Sequence, residues 1–164
     1  MSQYLGIIVC LMTLNLAGCG YSHGHLYRDD VGSVRVPIFK NKTFTRGVEF
    51  GLTEAVIKEL MGQTPYRVTS GQQADTLLEV TIVRAKAINR SRNDLGLSEA
   101  VAVSLVIDLV WRDLRNGQVL VERKGLTRES EFLVSRRGGE RYQTGEHATV
   151  QKLAVDIVSQ LRKW

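Results

Sequence analysis

The sequence predicts an α+β domain, a two-layer sandwich in which two helices pack on one face of a mixed β-sheet. Two observations carry that prediction. Segments 47–61 and 146–163 repeat apolar residues at helical spacing, and each offers a single apolar stripe that one sheet face can cover. Between and before them, segments 33–39, 66–70, 75–89, 99–113 and 118–124 alternate apolar and polar residues with a period of two.

The N-terminus comes first. The earliest charged side chain is Arg28, and LGIIVCLMTLNL over 5–16 is too short for a membrane-spanning helix, which needs roughly 20 apolar residues. That length suits the apolar core of a secretory signal over residues 1–18. Residues 19–33 lack periodicity and are expected to form a tether. His23 and His25 lie there without a third ligand nearby, so no metal site is expected.

SVRVPIF (33–39) puts Val34, Val36 and Ile38 on one face of a short strand, and Pro37 consigns it to an edge or a bulge because proline cannot donate to the ladder. KNKTFTRG then turns the chain, with Thr43 or Thr45 available to cap the helix that follows. That helix aligns Val48, Leu52, Ala55, Val56 and Leu60, and Gly62 and Pro65 stop it. YRVTS (66–70) is a short strand. In 75–89, Leu78, Val80, Ile82 and Ile88 share a face with Arg84 and Lys86, and burying both cations is costly. Either a bulge switches the face there or the strand runs past its helices.

Val101, Val103, Leu105, Ile107, Leu109 and Trp111 line one face of a long buried strand, and Asn116-Gly117 is a strong hairpin signal before the return at 118–124. Residues 126–143, polar and arginine-rich, are expected to be an exposed loop. The last helix places Val150, Leu153, Ala154, Ile157, Val158 and Leu161 on one stripe, with Thr144 as its cap. Residues 34–164 therefore form one domain.

Enzymatic function is not expected. The histidines are two in the tether and His147 at a helix start, and no nucleophile elbow, phosphate loop or zinc-protease motif occurs. Asp108, opposite the Val/Leu face, is expected to be an outward charge. No cofactor is implied. The 22 basic residues exceed the 17 acidic ones, and the excess of +5 lies wholly beyond residue 18. Such a balance suits anionic partners.

Leu16-Ala17-Gly18-Cys19 resembles the lipobox of bacterial lipoproteins. The resemblance implies acylation of Cys19 and removal of residues 1–18, Cys10 among them, so no disulfide remains. Gly20, where an inner-membrane retention signal usually carries Asp, favours the outer membrane. With VRVPIFKNKTF, EFGLTEAVIKEL, YRVTS, ADTLLEVTIV and LAVDIVSQLRKW in order, nearly the whole chain resembles the lipopolysaccharide-assembly lipoproteins of the LptE family. That resemblance implies an outer-membrane anchor, a role as plug and assembly aid for the β-barrel LptD, and binding of lipopolysaccharide, with no nucleic acid among its partners. The early pattern is also similar to periplasmic interaction modules of the curli-secretion and penicillin-binding-protein-activator type. The long strand at 99–113 and its tight return suit the first family better.

An up-down-up meander of 75–89, 99–113 and 118–124 brings the turn after Asn89 to the end of the third strand. Arg90 and Arg92 are then expected to meet Arg123 and Lys124, with Asp94 and Glu122 as offsets, in a site for lipid phosphates or another anionic lipid.

Overall fold

The computed structural model describes residues 26–71, 73–92, 98–133 and 142–162. Its elements are β1 (Ser33–Arg35), β2 (Lys40–Asn41), α1 (Val48–Gln63), β3 (Arg67–Thr69), β4 (Thr76–Arg92), β5 (Ser98–Asp113), β6 (Val119–Leu133) and α2 (Tyr142–Ser159). The main sheet path is β3-β1-β4-β5-β6, and β2 adds to β4. β1 is parallel to β3 and β4, and β4, β5 and β6 form an antiparallel meander. Both helices pack on one face of this mixed sheet, so the expected sandwich is the observed one.

The buried stripe of α1 is Val48, Leu52, Ala55, Val56 and Leu60, and that of α2 is Val150, Leu153, Ala154, Ile157, Val158 and Leu161. They close over Val34, Leu78, Val80, Ile82, Leu105, Ile107, Leu109 and Trp111. Each fully buried Leu or Ile contributes roughly 1.5–3 kcal/mol by leaving water.

Four local readings need correction. The first strand breaks at Pro37: β1 ends at Arg35, pairing resumes at Lys40, and Phe39 is buried where Ile38 is 62 % exposed. Neither Thr43 nor Thr45 caps α1. Its cap is Gly47 (φ 95°), and the Glu49 carboxylate accepts the Gly47 N–H at 3.0 Å. Helix α2 begins at Tyr142, so Thr144 lies inside it, and it ends at Ser159, short of Arg162. The largest difference is β6, which continues to Leu133 where a loop was expected from residue 126. Gly125, at φ 70°, sits in a register shift that takes the pairing from Leu109↔Arg123 to Ile107↔Leu126. Asp108 accepts the Gly125 N–H at 2.9 Å, so that outward carboxylate pins the bulge. Past the bulge, the helix-facing positions are Leu126, Arg128 and Ser130, too polar to show as alternation, and Arg128 is ion-paired to Asp156 of α2. The remainder of the expected loop, 134–141, lies outside the described residues.

Candidate functional site

The register shift between Ile82 and Arg84 resolves the two cations of β4. Before it, Leu78, Val80 and Ile82 face the helices. After it, Ala85 and Ala87, opposite Leu105 and Val103, take that side. Arg84 and Lys86 are thereby turned onto the uncovered sheet face, where both are exposed. One extra residue removes the cost of burying two charges.

That uncovered face is polar and divided by charge. Its β4 side carries Glu79, Arg84, Lys86 and Arg90, and its β6 side carries Glu122, Glu129 and Glu131. Between them β5 contributes Ala102, Ser104, Val106 and Val110. Arg90 reaches across the small β5 residues to Glu129 and lies 3.5 Å from Glu131, which covers Ala102 and Ser104. Lys40 of β2 pairs with Glu79 at 3.2 Å. Arg84 and Lys86 stand in no ion pair among the described residues.

The four cations expected at one tip are not brought together. Arg90 lies between the pairs Asn89↔Val101 and Ser91↔Ala100, whereas Arg123 is level with Leu109. Eight positions of β5 separate Leu109 from Val101, about 26 Å at strand rise. The cause is the extension of β6: residues 123 and 124 are mid-strand, not its end. Arg123 also faces the helix side and donates to Gln160 at 3.1 Å, while Lys124 pairs with Glu122 at 3.1 Å. Arg92 closes β4 in register with Ser98, and its side chain and Asp94 lie outside the described residues. Sequence reasoning named Arg84 and Lys86 only as a burial problem. The signal for their role was there, since two cations on a stripe that otherwise faces the core require a face switch.

A second polar cluster ties the N-terminal segment to the end of the sheet where β4 starts. The Asp75 carboxylate accepts from the Gly32 N–H, the Ser33 N–H and the Ser33 hydroxyl at 2.8–3.0 Å. The Ser33 hydroxyl first, then these amides, hold that carboxyl below its usual range. The Arg28 N–H donates to the Tyr66 hydroxyl at 2.9 Å, and Tyr66 packs between Tyr27 and Trp111 with ring centroids 5.7 and 5.9 Å away. Asp113, only 3 % exposed, is held by Arg115, which also approaches Asp30. Residues 26–33, the described part of the expected tether, are thus docked on the domain. Cys19, His23 and His25 lie outside the described residues. Among the described residues no three His, Cys, Asp or Glu side chains gather to hold a metal, and no helix is long and apolar enough to cross a membrane.

No curated protein matches the chain by sequence. Solved structures share the fold at low identity. The hypothetical protein CT253 from Chlamydia trachomatis is 11 % identical with a TM-score of 0.55, covering 80 % of this chain and 95 % of its own. Protein XCC0632 from Xanthomonas campestris is 10 % identical with a TM-score of 0.53, covering 81 % and 85 %. The PelC dodecamer from Paraburkholderia phytofirmans is 15 % identical with a TM-score of 0.50, covering 84 % and 93 %. At such identity the likeness is one of fold. The sequence itself is matched from residue 31 to 162, all but the N-terminal segment and the last two residues, by the family model described as LptE, lipopolysaccharide-assembly, and the chain belongs to that family of non-enzymatic assembly lipoproteins.

Proposed function

We propose that this chain is an outer-membrane lipoprotein, acylated on Cys19, that plugs the LptD β-barrel, helps it assemble, and assists insertion of lipopolysaccharide at the cell surface. The family match over residues 31–162 carries the reading. The lipobox at 16–19 supports its membrane anchor, with residues 1–18 as the signal. Support for the plug comes from the uncovered sheet face. A barrel lumen is polar, and among the described residues this face offers it charged side chains and no broad apolar patch.

We place lipid phosphate at the outer half of β4, where Arg84 and Lys86 have no ion pair among the described residues and Arg90 and Arg92 continue the same strand. Arg123, on the helix side and bonded to Gln160, and Lys124, paired with Glu122, make no part of that cluster. Arginine suits the task because its guanidinium takes phosphate oxygens two at a time. Reversing Arg84 and Lys86 to Glu is expected to weaken lipopolysaccharide binding, with a loss that depends on salt.

Detergent extraction of the tagged lipoprotein, followed by identification of what co-purifies, tests the whole. The expected companion is LptD. A homo-oligomeric ring, or a cell-wall synthase in its place, overturns the reading.

A further inference from the structure

The loop joining β2 to α1 displays an aromatic side chain that the fold does not use. Phe44 is fully exposed (105 %), and Phe50 in the first turn of α1 is 58 % exposed. The loop that holds Phe44 out is stitched at every step. The Thr43 N–H and hydroxyl both donate to the Asn41 side-chain Oδ1 at 2.8 Å, and the Thr45 N–H donates to the Thr43 hydroxyl at 3.3 Å. The Asn41 amide donates to the Thr45 carbonyl and to Glu49, both at 2.7 Å. Gly47, with positive φ, turns the chain into the helix. Lys42 is fixed to the sheet through its N–H and the Ile82 carbonyl at 2.9 Å. An apolar side chain on a loose loop folds back against its neighbours. Here an ordered backbone keeps it in water.

Lys42 and Arg46 flank it, both exposed and both without an ion pair among the described residues. Along β4 the cations continue through Arg84 and Lys86. The carboxylate in the loop's own network, Glu49, is engaged by its own backbone N–H, by Asn41 and by Gly47, and feels the Arg46 charge more weakly. An aromatic tip between exposed cations has the chemistry of the interface between headgroups and acyl chains of an anionic bilayer.

We infer that the Phe44 loop is a second membrane contact, inserting Phe44 between headgroups of the leaflet that holds the Cys19 lipid, with Lys42 and Arg46 on the phosphates. The inference rests on the reading of Cys19 as the anchor. The reach of the chain supports it. Residues 19 to 26 span at most about 25 Å, and residue 26 begins the docked segment. From β1, which follows that segment, the loop lies about 17 Å along the sheet, since Val34 pairs with Thr76 and Lys40 with Thr81. A polar lumen offers such a tip nothing, so the loop belongs at the barrel's rim, level with the bilayer surface. Tethering makes a single aromatic sufficient, because the membrane is always within reach.

The test uses the lipidated chain carrying Phe44→Trp in vesicles of phosphatidylethanolamine and phosphatidylglycerol. Quenching by bromine-labelled phospholipid is measured, and the wild-type chain supplies the background of Trp111 and Trp164. Flotation with the vesicles reports the anchor separately. The added tryptophan is expected to emit at shorter wavelength and to be quenched. Lys42→Glu with Arg46→Glu in the same chain abolishes the quenching while flotation persists. Emission of a water-exposed indole without quenching overturns the inference, and so does shielding that arises only when a protein partner is added. The unlipidated chain mixed with the same vesicles is read in parallel. If acylation fails, quenching there still supports the contact and its absence still overturns it.

Discussion

Glu146, half-buried near the start of α2, is where a single charge works against the fold. Burial first, and then the Glu49 carboxylate of α1, raise its carboxyl above the usual range. The folded chain therefore holds that proton more tightly than the unfolded one, and stability falls as pH rises from the ordinary value near 4.3 through the raised native one. Glu146→Gln removes the effect. Its melting temperature is expected to exceed that of the wild type at neutral pH and to match it below about pH 4; an equal or lower value at neutral pH contradicts this. Asp75 has the opposite sign. Its hydrogen bonds from Gly32 and Ser33 hold it low, so its contribution is complete above the ordinary carboxylate value and is lost as pH falls through the native one. The N-terminal dock is thus at full strength at neutral pH.

Among the elements, β6 turns on one residue. Gly125 holds φ at 70° in the bulge that carries the strand past Lys124. A side chain meets no atom there within 4 Å, so the cost of Gly125→Ala is backbone strain alone, about 1–2 kcal/mol. Chemical unfolding measures it, and a loss well below that range indicates that β6 does not depend on the bulge. The same residue shows why the sequence was legible only so far. Alternation found β4, β5 and both helices because their stripes are Leu, Ile and Val, and the charge conflict at Arg84 and Lys86 announced the β4 bulge. Past Gly125, the positions facing α2 include Arg128 and Ser130, and an arginine paired to Asp156 on another element carries no periodic signal. The expected four-cation tip failed for that reason: the third strand was ended at Lys124, one residue before the bulge at Gly125. Pro37 was read as marking an edge or a bulge, whereas β1 lies between β3 and β4 and pairing breaks off before that proline. The shift of the buried position from Ile38 to Phe39 depended on how many residues the break would take up.

At the scale of the molecule, β4 and β5 run for 17 and 16 residues, roughly 55 Å at strand rise. The docked N-terminus sits at one end, near Asp75, Asp113 and Arg115, and the Arg90 end lies far from it. Under the proposed anchoring at Cys19, the outer halves of the strands would project away from the inner leaflet, along the axis of an enclosing barrel. Enclosure is the central claim, and it demands contact on both faces of the sandwich. Photo-crosslinkers placed in living cells at Val106, on the uncovered sheet face, and at Lys152, on the outer face of α2, test it most directly. A plug within a lumen yields covalent adducts to LptD from both positions. Adducts from one position alone, or only to further copies of this chain, contradict it.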